Sequence, residues 1–292
     1  MTARVAFLGL GRMGSRMAAH LPGAGYDLVV YNRTADAAEA FVAEHGGAAA
    51  QSPAEAAATA DVVVSMLADG DVLTEVYTGP DGVLETLRPE SVAVDMGTSG
   101  PLAVAAVRLR VVAAGADLVD APVSGSTPAA EAGTLQIMVG GADQAVATVA
   151  PLLEVLGKPI HVGPPGAGAT LKLAVNSLLF GLNQALAEAV ILAEAAGVAP
   201  ETSLDVIAGG AAGAPMVTYR RPQYLDPDGS PVSFTLTLAK KDLGLALEQA
   251  AAGGVPMTQA ESTLEIIDAL IAAGEGGRDL GYVIEAVRRR TG

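Results

Sequence analysis

The sequence predicts an α/β protein in which an N-terminal Rossmann-type doubly wound sheet is followed by an all-α C-terminal domain with a long interdomain helix. Over residues 1–163, short β-branched runs alternate with Ala-rich stretches, a pattern typical of βαβ units and a parallel sheet. A break rich in Pro and Gly, HVGPPGAG, follows at residues 161–168. Residues 169–196 then contain one Gly and no Pro, which predicts a single long helix. We therefore expect two domains, at residues 1–163 and 164–292.

Each element of this prediction follows from its local pattern. The β-branched runs predict strands over residues 5–9, 28–31, 62–66, 92–95, 118–120, 137–139 and 159–162. Stretches of helix formers that begin with Pro or Thr predict crossover helices over residues 34–44, 53–60 and 101–114. The later helical stretches, near residues 201–207, 238–252 and 258–273, have no strand pattern between them. The second domain is therefore expected to be helical throughout.

Composition and charge exclude several classes of function. The chain of 292 residues has no Cys, which rules out disulfides, thiolate catalysis and thiolate metal sites. A net charge of −15 with 17 Lys and Arg argues against a nucleic-acid partner. The three His residues are too scattered along the sequence to predict a metal site. No uncharged apolar stretch reaches the roughly 18 residues of a membrane span, and no cleavable leader is evident, so we expect a cytoplasmic protein with no membrane partner.

A glycine motif at the N-terminus predicts a dinucleotide site. Gly9, Gly11 and Gly14 form G-x-G-x-x-G, with Arg12 and Met13 between the last two, after a strand pattern and before a helix pattern. In such a motif the first Gly makes a tight turn, the second admits the pyrophosphate, and the third allows the helix to pack on the strand. The alternative is a Gly-rich turn that binds nothing.

The end of the second predicted strand bears on the choice of cofactor. An NAD-selective site presents Asp or Glu to the ribose there, whereas this chain has Asn32, Arg33 and Thr34. A guanidinium and a hydroxyl can bind a 2′-phosphate, and no carboxylate repels it, so NADP is favoured. NAD remains possible, because Arg33 could equally be a solvated residue at a strand end.

The long predicted helix carries a candidate acid/base. Lys172 and Asn176 are four residues apart and share one helix face, with Asn183 near the same stripe. A Lys that loses solvation in an apolar cleft has a lowered pKa and can exchange a proton with a substrate hydroxyl or carbonyl. A surface Lys beside a capping or core Asn would show the same spacing.

Five blocks of sequence together resemble the β-hydroxyacid dehydrogenase family over residues 5–252. They are GLGRMGSRMAAHL, then DAPVSGS with the later GTL, then GAGATLKLAVN, then Phe234 with KDL at 241–243, and finally Met66, Leu67 and Thr98. The resemblance implies NADP or NAD as cofactor, hydride transfer to or from a small carboxylate substrate, and a homodimer or homotetramer.

The resemblance also implies residue roles. It makes Lys172 the acid/base and places Asn176 against the substrate, and Ser124 and Gly125 can offer a hydroxyl and backbone N–H groups to a carboxylate. The cofactor would be lined by Met66, Leu67, Thr98, Phe234 and Lys241, in addition to Gly9, Gly11, Arg12, Met13, Gly14, Asn32, Arg33 and Thr34.

The chain departs from the family pattern at several positions. Ser126 and Ala129 stand where Gly is usual, Gly97 stands where a Ser is usual, and residues 276–281 match only loosely. The substrate is therefore less constrained than the type of reaction. Two alternatives stay open: an imine reductase on the same scaffold, whose members usually carry Asp or Tyr at the position of Lys172, and a non-catalytic dinucleotide-binding regulatory protein.

Overall fold

The computed structural model describes residues 3–291 and begins with a sheet that nine strands form within this range. The strand order is β3-β2-β1-β4-β5-β6-β8-β7, and β9 pairs with β8. The strands are β1 Arg4–Leu8, β2 Asp27–Tyr31, β3 Ala48–Ala49, β4 Val62–Ser65, β5 Val92–Asp95, β6 Asp117–Asp120, β7 Val123–Ser124, β8 Leu135–Gly140 and β9 Gly157–Gly163.

Helices cover both faces of this sheet, because successive residues of a strand point to opposite sides. Val5 and Phe7 of β1 pack on one face against α1–α3 and α8, whereas Ala6 and Leu8 pack on the other against α4–α6. This is the doubly wound arrangement that the sequence predicts. The helices are α1 Gly14–Ala18, α2 His20–Gly23, α3 Ala35–His45, α4 Pro53–Ala57, α5 Gly70–Thr78, α6 Pro101–Ala113, α7 Ser126–Glu131 and α8 Asp143–Leu156.

The sheet is mixed, which corrects the expectation of a purely parallel one. Strands β1 to β6 pair in parallel, but β8 runs antiparallel to both β6 and β7, and β9 is parallel to β8. A parallel crossover needs about a dozen residues or more, and only residues 125–134 connect β7 to β8. The two-residue strands β3 and β7 escaped prediction, since a pair such as Ala48–Ala49 carries no β-branched signal.

The C-terminal part of the described chain consists of helices and turns around its own core, as predicted. The helices are α9 Ala167–Ala195, α10 Pro200–Gly209, α11 Pro215–Tyr219, α12 Arg221–Leu225, α13 Leu236–Ala252, α14 Thr258–Ala272 and α15 Val283–Thr291. The core contains Phe180, Val190, Leu243 and Ile267 from three of the longer helices. The short helices α11 and α12, of five residues each, were not predicted.

The chain divides into two compact units, Met1–Lys172 and Leu173–Gly292. The division falls within α9, so Lys172 closes the first unit while Asn176 belongs to the second. Among the described helices, α9 alone is long and apolar enough to cross a bilayer, a criterion that a core helix of a soluble protein also meets.

Candidate active site

The glycine loop between β1 and α1 has the geometry expected of a dinucleotide fingerprint. Gly9 has φ +99°, a conformation that favours Gly, and a Cβ there would lie 2.5 Å from Met66 O. A Cβ at Gly14 would lie 1.9 Å from Gly9 O, so no side chain fits between helix and strand. A Cβ at Gly11 would meet no atom within 4 Å. Two glycines are thus required by the protein itself, and the middle one faces open space.

The two residues between these glycines have different surroundings. Met13 is half-buried and packs against the sheet core, whereas Arg12 is exposed and its carbonyl accepts a hydrogen bond from Arg16 Nη1 at 2.7 Å. Of these two residues, Arg12 is therefore the one that is exposed beside Gly11.

Asn32 joins the glycine loop to the end of β2. Its Oδ1 accepts a hydrogen bond from Leu10 N at 3.0 Å, and its Nδ2 donates to Thr34 O at 3.1 Å. Arg33 and Thr34 follow it and are both exposed. Arg33 makes no hydrogen bond or ion pair with any residue in the described range. Asn32, which stands where NAD-selective sites have Asp or Glu, therefore holds the glycine loop. The exposed guanidinium of Arg33 and hydroxyl of Thr34 follow it in the chain.

The carboxyl ends of β4 and β5 bring Met66, Leu67 and Thr98 to the edge of the sheet where Gly9 lies. Met66 N donates to Leu8 O at 2.9 Å, and Met96 N donates to Ser65 O at 2.8 Å. All three predicted residues are half-buried. A Cβ on Gly97 would lie 2.8 Å from Leu67 O, so a side chain at this position would require the backbone to shift.

Beneath this edge lies a buried carboxyl without a basic partner in the described range. Asp95 is in register with Ser65 of β4, whose Oγ donates to Asp95 Oδ1 at 3.3 Å, and Gly97 N donates to the same oxygen at 3.3 Å. Burial raises the pKa of Asp95 to about 6, and the hydrogen bonds from Gly97 and Ser65 oppose this.

The predicted substrate loop follows β6 and β7. Ser124 pairs with Gln136 of β8 and is half-buried, and Gly125 is exposed. Gly125 has φ +141°, and a Cβ there would lie 2.6 Å from Ala129 Cβ. Ser126 has φ +62°, so this departure from the family pattern is in a left-handed conformation that favours Gly.

Asp120 connects this loop to the start of α9, and it was not predicted as a site residue. Its Oδ1 accepts from Gly166 N at 2.7 Å and its Oδ2 from Ala169 N at 2.8 Å. Asp120 is fully buried at the carboxyl end of β6, in register with Asp95. The sequence signal that could have identified Asp120 is its place as an acidic residue at the end of a strand with an apolar centre.

In the second unit, Asp242 connects two predicted site residues. Asn176 Nδ2 donates to Asp242 Oδ2 at 2.7 Å, and Lys241 Nζ lies 3.1 Å from Asp242 Oδ1. Asn176 and Asp242 are buried, whereas the neighbouring Lys240 is exposed and pairs with Asp268 at 2.7 Å. This contact distinguishes the two adjacent lysines, which the sequence did not.

Phe234 is held by the segment whose role the sequence left open. Its ring stacks on Phe180 with centroids 5.6 Å apart, and its carbonyl accepts from Leu280 N at 2.8 Å. Asp279 accepts from Ser233 N at 2.7 Å and from Phe234 N at 3.0 Å, and forms a buried ion pair with Arg220 Nη1. Residues 276–281 therefore fix the loop that precedes α13.

Asn183, which the spacing puts near the stripe of Lys172 and Asn176 on α9, has its own hydrogen-bond partners. It is fully buried, accepts a hydrogen bond from Tyr224 OH, and donates to Leu280 O at 3.1 Å. Lys172 itself is half-buried on α9, four residues before Asn176. The structure thus brings Gly9, Met66 and Leu67 together in the first unit, and Asn176 and Lys241 around Asp242 in the second.

Comparison with known proteins identifies the family. The family model described as the NAD binding domain of 6-phosphogluconate dehydrogenase matches residues 4–163. A second, described as the NAD-binding of NADP-dependent 3-hydroxyisobutyrate dehydrogenase, matches residues 166–287. The chain belongs to the β-hydroxyacid dehydrogenase family. It is therefore an NAD(P)-dependent oxidoreductase of small hydroxy acids, acting on a CH–OH group, as the resemblance predicted.

Individual relatives match over nearly their whole length. A 2-(hydroxymethyl)glutarate dehydrogenase of Eubacterium barkeri is 35% identical, with 99% of this chain and 96% of that protein covered. A 3-sulfolactaldehyde reductase of Escherichia coli K12 is 36% identical, covering 99% and 97%. The structure of Mycobacterium tuberculosis 3-hydroxyisobutyrate dehydrogenase with L-serine has a TM-score of 0.87 at 35% identity, covering 99% of this chain and 100% of that one.

The imine reductase alternative is more distant. An imine reductase from Pseudomonas sp. is 24% identical, with a TM-score of 0.64 and coverage of 98% of this chain and 100% of that one. At that level of identity the likeness extends to the fold alone.

Proposed function

We propose that this family member prefers NADP(H) and interconverts a small β-hydroxy acid and the corresponding semialdehyde, with Lys172 as the general acid/base. The proposal assigns the cofactor to residues 1–163 and the substrate and subunit contacts mainly to residues 164–292. The observation that supports it best is the hydrogen-bonded set of Asn176, Asp242 and Lys241, because Asn176 lies one helical turn after Lys172 on α9.

The glycine loop fits a bound dinucleotide. Open space at Gly11 gives room for a pyrophosphate against the backbone, and the free N–H groups of the α1 N-terminus favour an anion. Arg33 and Thr34 would hold the 2′-phosphate of NADP, since both are exposed after the strand end. We propose that Met66, Leu67 and Thr98 line the cofactor, and we keep Phe234 and Lys241 as further cofactor residues.

The chemistry divides between cofactor and protein. The nicotinamide, when bound, accepts or supplies the hydride. Lys172 Nζ takes the proton of the substrate hydroxyl during oxidation and returns one to the carbonyl oxygen during reduction. The Ser124 hydroxyl and the Gly125 N–H hold the substrate carboxylate, and the Asn176 amide, fixed through Asp242, orients the substrate.

Subunit contacts and location complete the proposal. Leu178 and Leu192 on α9 are 70% and 75% exposed, and Val206 on α10 is 69% exposed. Large apolar side chains left exposed on consecutive helices are typical of a subunit interface. We therefore propose a homodimer or homotetramer. We place it in the cytoplasm, where its cofactor is available.

The proposed activity can be tested with a panel of small β-hydroxy acids and semialdehydes, offered with each oxidised or reduced cofactor and followed at the nicotinamide absorbance band. Turnover of at least one pair, with NADP(H) preferred, is expected. Cyclic imines and ketone–amine pairs belong in the same panel, and turnover of those alone would favour the imine reductase alternative. Cofactor binding without any turnover would favour a regulatory protein.

The role of Lys172 can be tested with two variants. Lys172→Ala should lower kcat by about 10²–10⁴-fold, the usual contribution of a positioned acid/base. Lys172→Arg keeps the charge but does not release its proton near neutral pH, so it should be almost as inactive. The exposed Lys158→Ala serves as the control and should retain full activity. Near wild-type turnover of the Arg variant would show that Lys172 only attracts the substrate carboxylate.

A further inference from the structure

The two carboxylate oxygens of Asp120 each accept a backbone N–H at the start of α9. Gly166 N donates to Oδ1 at 2.7 Å and Ala169 N donates to Oδ2 at 2.8 Å. The first N–H groups of a helix have no partner within the helix. Asp120 supplies that partner from a different element, 46 and 49 residues earlier in the chain.

The space around the Asp120 carboxylate is too small for side chains on the neighbouring glycines. A Cβ on Gly140 of β8 would lie 2.7 Å from both carboxylate oxygens, and a Cβ on Gly168 would lie 3.0 Å from Oδ2 and 2.3 Å from Met138 O. Gly166 has φ +90°, which lets the chain turn into α9 at this point. Three glycines therefore surround a carboxylate that is fully buried.

The position of Asp120 in the chain gives this contact a functional meaning. Asp120 ends β6 and is followed, four residues later, by Ser124 of the proposed substrate loop. Ala169, which it holds, is followed three residues later by Lys172. The same side chain thus fixes the start of the loop and the first turn of the helix that carries the proposed acid/base.

We propose that Asp120 is a positioning residue that holds the first turn of α9, and with it Lys172, in register with the loop at Ser124. This inference rests on the proposed function, in which Lys172 exchanges the proton. The ionised carboxylate is needed, because two N–H donors require two acceptor oxygens and a negative charge is stabilised at a helix N-terminus. An amide has one acceptor, and its NH₂ group would face a second donor.

The test compares Asp120→Asn with the wild type and with Asp117→Asn. Asp117 lies at the other end of β6, where its carboxylate pairs with Arg108 at 2.9 Å. We expect Asp120→Asn to lower kcat by about 10- to 100-fold, because a small displacement of a catalytic group has effects of this size. The Kd for NADPH should change less than threefold, and Asp117→Asn should keep the wild-type kcat.

Hydrogen exchange supplies a readout that does not depend on activity. The amides of residues 166–172 should exchange at least tenfold faster in Asp120→Asn than in the wild type, while amides of β1 and β4 should keep their protection. A folded Asp120→Asn protein with kcat within twofold of wild type, or with unchanged exchange over residues 166–172, would overturn the inference. An equal loss of kcat in Asp117→Asn would do the same.

A second variant covers the case in which Asp120→Asn does not fold. Gly140→Ala keeps the carboxylate but puts a methyl group 2.7 Å from its oxygens and from Gly168 N. It should show the same faster exchange and the same loss of kcat, and wild-type values of both would overturn the inference. If the wild type itself turns over no substrate on the panel, the proposed function fails, and exchange over residues 166–172 still tests the role of Asp120 in holding α9.

Discussion

Asn176 donates a hydrogen bond from Nδ2 to Oδ2 of Asp242, at 2.7 Å, and both residues are buried. The other oxygen of Asp242 lies 3.1 Å from Lys241 Nζ. A buried carboxylate shared by an amide and an ammonium group fixes both, since each would lose a charge-assisted partner on moving. This relationship assigns Asp242 the task of orienting two residues proposed to contact substrate and cofactor.

We predict that Asp242→Ala will lower kcat/KM by about 10- to 100-fold, because loss of a buried charge-assisted hydrogen bond costs roughly 1.5–3 kcal/mol. Steady-state kinetics on the best substrate of the panel will measure this. Lys240→Ala is the control, since Lys240 lies two residues before Asp242 on the same helix but pairs with Asp268. Equal kcat/KM in the Asp242 variant and the wild type would show that the function of Asn176 does not depend on its hydrogen bond to Asp242.

We predict that the wild type binds NADPH more tightly than NADH and that Arg33→Asp reverses much of this preference. Arg33 is exposed and has no partner within the described residues, so its guanidinium is available for a 2′-phosphate, whereas a carboxylate there would repel it. Fluorescence titration of both cofactors gives the two Kd values. Because the chain carries a net charge of −15, Arg110→Asp on α6 controls for the change in overall charge. Equal wild-type affinities would contradict the prediction.

We predict that Gly11→Val folds normally and no longer binds the dinucleotide. A side chain at Gly11 meets no protein atom within 4 Å, so it would enter only the space proposed for the pyrophosphate. Thermal unfolding with and without NADPH will show this as a lost shift, since a ligand at 100 times its Kd stabilises by about 2.7 kcal/mol. Gly23→Val, also in open space, should keep the shift. A shift retained by Gly11→Val would place the cofactor elsewhere.

We predict that Leu178→Glu and Leu192→Glu, combined, will shift the protein to a smaller species in light scattering after size-exclusion chromatography. Charges placed in an apolar subunit contact are left without partners and lose solvation. Leu109→Glu is the control, because Leu109 on α6 is equally exposed, at 72%, but belongs to the first unit. An unchanged mass for the double variant would show that the exposed face of α9 is not the interface.

We predict that Asp95→Asn gains stability relative to the wild type as the pH rises. The pKa of Asp95 is raised from 3.8 to about 6 by burial, so the folded state holds its proton more tightly than the unfolded state. Its contribution is fully present below pH 3.8 and is lost as the pH rises through 6. From pH 5 to pH 8 the difference in unfolding free energy should shift by roughly 1 kcal/mol towards the variant, since the pKa of Asp95 in the folded state lies about one unit above pH 5.

Urea unfolding of both proteins at pH 5, 6.5 and 8 measures this shift. A further pair of measurements at pH 7.5 and 8.5 should show no change in the difference, because Asp95 is ionised at both. A difference that stays constant from pH 5 to pH 8 would mean that the Asp95 carboxyl titrates at the same pH in the folded and unfolded protein.

The sequence by itself determined the fold class, because the fold class follows from the local alternation of strand and helix patterns. The β-branched runs gave β1, β2, β4, β5 and β6 to within a residue or two, and the break before α9 marked the change from sheet to helices. The glycine fingerprint could also be recognised from local sequence. It consists of a strand, a turn at Gly9 and a helix that packs closely on the strand at Gly14, and these elements follow one another directly in the chain. The family blocks added the type of reaction, which the relatives support.

Tertiary structure alone decided which polar side chains face each other. Nothing in the sequence relates Asp120 to Ala169, Asn176 to Asp242 or Asp279 to Phe234, since each pair joins residues that are far apart along the chain. The antiparallel turn of β8 and the separate roles of Lys240 and Lys241 were hidden for the same reason. Periodicity reports which face of an element is apolar, whereas the partner of a buried polar group depends on which elements the packing brings together.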